Sequence, residues 1–360
     1  MNILIVYGGK SCEHDISVIT ACLAKGYFKG NILSAYLDQD NVCYLVPNEF
    51  TPKQHKTVNL KKQIVFFLGK KQIGIVSGKR MCKTVKIDVA VNCCHGRCGE
   101  DGAVAALCEL CNIPIVGSGV ISSGVTMDKI FTKRVLSSLK IPNVSGIGLN
   151  GGFTEKDLAE MEKWGYPIIV KPATLGSSIG VSLCHNKTEL KEGLEEAFWY
   201  DNRVLCERAL TNFYELNCSA MRTEQGVEIS SVERSVTSHD ILTFHDKYMR
   251  GEKFETVSGP VDEKTAKKVK SLTEKIYREF ALEGVVRVDF LVEKETGKVY
   301  VNEINSIPGS LAYGLWQDRY SPQQFGAALT AQAVADYQQR NERKHIFNSG
   351  VLDCKGFGKK

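Results

Sequence analysis

The chain has 360 residues, 43% of them hydrophobic and 24% charged, enough for two or three domains with cores of their own. Its 46 basic and 41 acidic side chains leave a net charge of +5, too balanced to point to nucleic acid or an anionic membrane surface as a partner. No apolar run approaches the roughly 20 residues of a membrane span, so no membrane partner is expected.

The opening MNILIVYGG has no basic lead and no small-residue cleavage site, and it reads as a first strand, not a signal peptide. A polar turn, KSCEHD, leads into a helix over ISVITACLAKGYF. Short β-like runs follow in NVCYLV, QIVFFL and QIGIV, and KIDVAVNCC supplies a buried strand near 86–94. A helix near 102–112, the strand IPIVG and a second glycine turn close a first α/β unit around residue 120. The 13 cysteines read as free thiols of a reducing cytoplasm. Only Cys108 and Cys111 have CxxC spacing, and they fall in AVAALCELCNIP, a helix whose apolar face calls for packing more than for zinc.

From Met127 the pattern gives a helix through Ser137, a loop at Pro142, a helix near 154–164 and the strand PIIVK. A Gly/Ser-rich turn, a helix near 187–198 and the strands RVLCER, YELNCSA and EISSVE come next. Residues 236–260 lack periodicity and read as a long functional loop. A helix from about Glu263 to Phe280 leads to the hairpin VVRVDFLVEKETGKVYVNEIN, and a helix after Pro322 precedes a basic tail.

The hairpin carries the most chemistry. Glu295-Thr296-Gly297 suits a three-residue loop with glycine in the left-handed position. Centring on residue 296 pairs Val292 with Tyr300, Asp289 with Glu303 and Arg287 with Asn305. Alternation then puts Arg287, Asp289, Glu303 and Asn305 on one face and Val288, Phe290, Val292, Tyr300 and Ile304 on the other. Such an oxygen-rich face suits Mg²⁺, with Arg287 beside a transferring phosphoryl group; a solvated face with surface ion pairs is the alternative. In PIIVKPATLGSSIGVSL, Lys171 ends an apolar strand and Thr174 to Gly180 form a turn whose amides can lie over phosphates, although alone it is an ordinary turn and no Walker loop occurs. In CHGRCGEDG, His95, Arg97, Glu100 and Asp101 crowd a turn at the carboxyl end of a strand, where open α/β sheets place ligands. Glu13 and His14 open the first helix.

Taken in order, GGKSCEHDIS, HGRCGEDG, GSGVISSGVTMDK, VKPATLGSSIGVS, VLCERAL, FHDKY, RVDF and VNEINSIPGS resemble the D-alanine–D-alanine ligase family over most of residues 1–315. The resemblance implies an α/β, three-domain ATP-grasp fold with ATP between two β-sheets. It divides the chain into an N-terminal domain (1–120), a central subdomain (121–205), a C-terminal subdomain (206–345) and a polar tail (346–360). It implies an ADP-forming ligase that joins two D-amino acids through an acyl phosphate, in first place D-alanine with D-alanine for peptidoglycan precursors. The protein would be a cytoplasmic homodimer using ATP and two Mg²⁺ ions, with Mn²⁺ as a substitute.

By the same resemblance, Lys129 and Lys171 would bind phosphates, Glu207 and Leu210 adenine, and Glu215 ribose. Asp289, Glu303 and Asn305 would hold the metal, while Arg287 and the backbone of Gly309 would stabilise the tetrahedral intermediate. Glu13, His95 and Ser177 would surround the first amino acid. Lys247 and Tyr248 would belong to a mobile loop closing over nucleotide and catalytic centre. Ser310 and Gly314 fall where the acceptor is read. There the run SLAYGLW departs from the family pattern, with Gly314 about where a serine is usual. D-serine, D-lactate or another amino acid therefore stay open as acceptors. A carboxylase-like ATP-grasp protein lacks support from any biotinylation-type segment, and a non-catalytic nucleotide-binding relative would be expected to have lost Arg287 or a metal ligand.

Overall fold

A computed structural model of the chain describes residues 1–57, 60–235 and 261–353. Strands β1 (Asn2–Gly8), β2 (Asn31–Leu37), β3 (Cys43–Val46), β4 (Lys62–Phe67), β5 (Gln72–Ser77), β6 (Arg80–Lys86), β7 (Val89–Asn92) and β8 (Ile115–Val116) form one sheet, in the order β6-β5-β4-β3-β2-β1-β7-β8. β2, β1, β7 and β8 run parallel, and the rest is an antiparallel meander. β1 is an unbroken apolar run from Ile3 to Tyr7 because both its faces are covered. Ile3, Ile5 and Tyr7 pack with Val18 and Ala21 of helix α1 (His14–Ala24) and with Phe325, Leu329 and Ala333 from near the C-terminus. α2 (Pro52–His55) is a single turn at the surface. Leu4 and Val6 face the opposite way, onto Val104, Ala105 and Cys108 of α3 (Ala103–Leu110). Cys108 and Cys111 lie fully buried in that second cluster.

Helices α4 (Val120–Met127) and α5 (Lys129–Ser138) lead into β9 (Gly146–Asn150), α6 (Glu155–Glu162), β10 (Ile168–Pro172), β11 (Ser182–Cys184), α7 (Lys187–Tyr200) and β12 (Arg203–Arg208). The four strands form an antiparallel sheet ordered β11-β10-β12-β9. Its Ile168, Val170, Val204 and Cys206 are buried against Leu158 and Met161 of α6 and Leu190 and Leu194 of α7. β13 (Phe213–Thr223), β14 (Gly226–Ser235), β15 (Val285–Glu293) and β16 (Val299–Asn305) make a second antiparallel sheet, ordered β14-β13-β15-β16. α8 (Glu263–Glu279) covers one face of it, with Val269, Ile276 and Tyr277 on Leu216, Val286, Val288 and Phe290. In both sheets the residues between these buried ones point to the uncovered face, and the two uncovered faces line a common cleft. α9 (Pro322–Asn341) returns to the first sheet. Before it, Trp316 is fully buried, its indole Nε1 donating to Ser219 Oγ at 2.9 Å.

The structure adds elements that the pattern of residues does not announce. β6 is an edge strand of exposed, mostly polar residues, β9 carries two glycines, and β2 follows directly on the first helix. GVISSGVTM, which reads as a glycine turn, is helical, and its hydroxyls bond back to carbonyls about one turn earlier instead of competing for other partners. Ser122 donates to Gly119 O at 3.2 Å, Ser123 to Ser118 O at 3.1 Å and Thr126 to Ser122 O at 2.8 Å. Among the described residues, no helix is long and apolar enough to cross a membrane.

Candidate active site

The β15–β16 hairpin forms one wall of the cleft. Arg287 lies opposite Asn305 and Asp289 opposite Glu303, as the sequence suggests, but farther out the register differs. Val292 pairs with Val299 and Tyr300 with Leu291. The core residues of β16 are therefore Val299, Val301 and Ile304, and Tyr300 is half-buried beside the cleft instead of in the core. The physical reason is a turn one residue longer than the glycine position implies, with Glu293 N–H donating to Lys298 O at 3.0 Å and Gly297 at φ 66°. A bulge at Asn302 then adds one residue to β16 and cancels the offset. Asn302 consequently shares the cleft face with Glu303 and Asn305.

Arg287 forks onto Asp289, Nε to Oδ1 at 2.6 Å and Nη2 to Oδ2 at 2.7 Å, and Asn305 Nδ2 donates to Asp289 Oδ2 at 3.0 Å. Among the described residues no group of three or more His, Cys, Asp or Glu has metal-holding geometry. The set here is two carboxylates and one amide, all oxygen donors. It fits a hard cation that completes its shell with water and phosphate oxygens.

The facing wall supplies cations. Asp128 caps α5, accepting from Ile130 N at 2.9 Å and Phe131 N at 3.0 Å, and pairs with Arg203. This fixes the first turn of α5, from which Lys129 reaches the Leu175 carbonyl. Burial holds the Lys129 ammonium below its usual range, partly offset by Glu303. Lys171, on β10, pairs with Glu207 on β12, and Lys133 pairs with the other oxygen of the same carboxylate. Burial alone would raise the Glu207 carboxyl, but the ammonium groups of Lys171 and Lys133 outweigh it and hold it low. Glu207 therefore sits between two lysines. Leu210 is buried just beyond β12 and lines neither cleft cavity. Glu215 does line the cleft, in a cavity of about 120 Å³ with Lys129, Lys171, Phe213, Leu291 and Glu303.

A second cavity of about 280 Å³ adjoins it, lined by Glu13, His95, Glu100, Lys129, Arg287 and Gly309 among others. Glu13 begins α1, and Ser177 Oγ donates to its carboxylate across the mouth. Ser177 and Ser178 hold left-handed φ values of 54° and 58°. At Gly176 a side chain would come within 2.7 Å of the Glu13 oxygens, so the Glu13 carboxylate would have to move to admit one. His95 follows β7 and is 5% exposed; burial, then the charge of Arg287, pulls its imidazole down to about 4, leaving it neutral. Glu100 accepts from Gly96 N at 3.2 Å and Ile307 N at 3.4 Å. Burial, and then the Glu13 charge, pushes its carboxyl up to about 8. Gly309 opens a turn in which Ser310, Leu311 and Ala312 are all left-handed, with φ of 51°, 54° and 53°. Gly314 ends up exposed, with open space around it and outside both cavities. Lys247 and Tyr248, like the whole of the loop 236–260, lie outside the described residues.

The structure thus brings Glu13, His95, Lys129, Ser177, Arg287, Glu303, Asn305 and Gly309 around one cavity. Residues 2–118 match the family model described as D-ala D-ala ligase N-terminus, and residues 138–324 match D-ala D-ala ligase C-terminus. The D-alanine--D-alanine ligase of Thermosipho africanus is 35% identical over 99% of both chains. The chain belongs to the D-alanine–D-alanine ligase family. That of Borrelia turicatae is 32% identical over 95% of this chain and 97% of its own. The D-alanine-D-alanine ligase of Coxiella burnetii superposes with a TM-score of 0.81 at 25% identity, over 95% of this chain and 96% of that one. The three-domain ATP-grasp fold of this ligase family is therefore the fold of the chain.

Several residues of this ligase's cleft escape a reading of the sequence. Lys133 could have been found from helical spacing, since it lies four residues after Lys129 and thus on the same face of α5. Asn302 enters only through the bulge, and Thr20 only through tertiary contact.

Proposed function

We propose that the chain joins two D-alanine molecules into D-alanyl-D-alanine, a peptidoglycan precursor, with conversion of ATP to ADP and phosphate. The observation that carries this reading is the meeting, in one cleft, of an oxygen-rich β15–β16 face with two lysines and a pocket holding Glu13, His95, Arg287 and Gly309. A carboxylate is a poor electrophile, so the first amino acid must take the γ-phosphoryl group on a carboxylate oxygen. Lys129 and Lys171 offset the charge on the phosphates, which is mainly positioning and electrostatics. The amine of the second amino acid then attacks the acyl carbon, the amide forms, and phosphate departs with the transferred oxygen. Arg287 and the N–H of Gly309 face the place where negative charge grows on the carbonyl oxygen.

Asp289, Glu303 and Asn305 would hold Mg²⁺, two ions in all, with Mn²⁺ as a substitute; bound there, the metal supplies positive charge to the phosphate oxygens. A cation at Asp289 would replace the Arg287 fork and release that guanidinium toward the reacting groups. Glu215 would meet the ribose and Leu210 the adenine. We place the enzyme in the cytoplasm as a homodimer. The test is phosphate release from ATP and Mg²⁺ across D- and L-amino acids and D-lactate, with products weighed. D-alanine alone should give the dipeptide; turnover only with a second, different acceptor would contradict D-alanine as acceptor, and no condensation with any pair would overturn the ligase reading.

A further inference from the structure

Helix α1 presents Glu13, Ser17 and Thr20 along one side, at spacings of four and three residues, toward the larger cavity and the segments around it. Ser17 and Thr20 are both within 1% of full burial, in a helix interior where hydroxyls usually bond back to their own helix. Ser17 does so, donating to Glu13 O at 3.4 Å, but both hydroxyls also reach other segments. Ser17 Oγ accepts the His95 backbone N–H at 2.7 Å. Thr20 Oγ1 lies 2.8 Å from His95 Nε2 and accepts the Ser310 N–H at 3.2 Å. One hydroxyl thus joins α1, the turn after β7 and the left-handed turn that begins at Gly309.

The direction of the Thr20–His95 bond follows from counting donors. A hydroxyl has one proton to give and can accept as well. The Thr20 oxygen already accepts from Ser310, and no other acceptor lies within its reach among the described residues, so its proton goes to His95 Nε2. The imidazole is neutral, so its one proton is on Nδ1. Nδ1 has no protein partner among the described residues. The buried side-chain nitrogen and oxygen atoms left unpaired there are Arg222 Nε and Ser306 Oγ, so His95 Nδ1 is open to the cavity that His95 lines.

We propose that Thr20 is a positioning residue of the active site: it fixes His95 as the Nδ1–H tautomer, which presents a hydrogen-bond donor to an anionic oxygen of the amino-acid substrate, and it pins Ser310 at the start of the left-handed turn. The substrate class rests on the ligase reading above; the tautomer does not. His95 then acts as a neutral donor and takes no proton during turnover. The same hydroxyl couples the two segments, so losing it loosens both together.

The experiment compares the full-length chain with Thr20→Val, which keeps the shape and removes the hydroxyl, and Thr20→Ser, which keeps it. In chain labelled with ¹⁵N-histidine, the two-bond proton–nitrogen spectrum should show His95 with protonated Nδ1 and bare Nε2, constant from pH 6 to 8. His95→Gln identifies the resonance by its loss. Thr20→Val should shift His95 to a tautomer mixture and raise the KM for D-alanine about tenfold, with the KM for ATP changed less than about twofold. Thr20→Ser should restore both within about threefold. A protonated Nε2 in the parent overturns the proposal even if Thr20→Val does not fold. So does an unchanged KM in Thr20→Val, or equal loss in Val and Ser. If the parent shows the expected tautomer but makes no dipeptide, the ligase reading fails and the tautomer assignment stands.

Discussion

Two sides of the larger cavity hold their functional groups by different means. On the β15–β16 wall, Arg287, Asp289, Glu303 and Asn305 are fixed by sheet register, each backed by a core residue on the other face. On the opposite side of the larger cavity, His95, Glu100, Gly309 and Ser310 sit on turns with little regular structure of their own. They are held by single polar atoms: Ser17, Thr20 and the Glu100 carboxylate, which ties Gly96 to Ile307. A sheet wall tolerates the loss of one polar contact because the ladder keeps the backbone in place. A turn wall does not, since each hydroxyl or carboxylate is a structural member. Mutations on the sheet wall should therefore damage chemistry with the fold intact, and mutations on the turn wall should alter binding and stability together.

The largest effect is expected on the sheet wall. Arg287→Ala should reduce turnover by about 10²–10³-fold, the loss typical when a group facing developing charge is removed, while ATP affinity stays within a few-fold. Turnover near that of the parent would show that the guanidinium serves only its fork with Asp289. Asp289→Asn and Glu303→Gln should each raise the Mg²⁺ concentration for half-maximal activity by about tenfold or more. An unchanged metal titration would remove this face from metal binding.

On the β10–β12 side of the cleft, Lys133→Met leaves Glu207 with Lys171 alone in a buried site, and should lower the unfolding free energy by about 2–3 kcal/mol in urea titration. A loss below about 0.5 kcal/mol would mark the triad as no better than a surface pair.

The effects on the turn wall depend on pH and have opposite signs. His95 is near 4 in the fold against 6.5 ordinarily, so between those values the unfolded chain binds a proton that the native chain does not. Stability that is present above pH 6.5 is therefore lost as pH falls toward 4, and His95→Gln should flatten that slope. Glu100 is raised from 4.5 to about 8, so its contribution is present at low pH and lost as pH rises through 8. Glu100→Gln should gain stability relative to the parent at pH 8 compared with pH 5. Equal pH slopes in parent and variants would contradict the buried placement of both groups.

The same contrast explains what can be read from the letters. Alternation along β15 and β16 exposes the Arg287, Asp289, Glu303 and Asn305 face because strand period is a local property. It survives an incorrect turn length only because the extra residue at Asn302 compensates, and the core assignment of Tyr300 does not survive. On the turn wall, HGRCGEDG announces a polar turn but gives no sign that Thr20, far away in sequence, completes it. The exposed position of Gly314 depends on the left-handed run Ser310–Ala312, which no glycine marks. For Glu207, the letters do not announce that Lys133 and Lys171 both hold its carboxylate, which follows only from the register of β10 with β12 and the helical spacing of Lys133.

The account stands most directly on the transfer of a carboxylate oxygen to phosphate. D-alanine labelled with ¹⁸O in its carboxylate should be incubated with ATP, Mg²⁺ and the full-length chain, and the inorganic phosphate weighed. One ¹⁸O atom per phosphate, in step with one dipeptide formed, is the result expected of an acyl phosphate made in this cleft. Unlabelled phosphate, or label recovered in AMP, would contradict it.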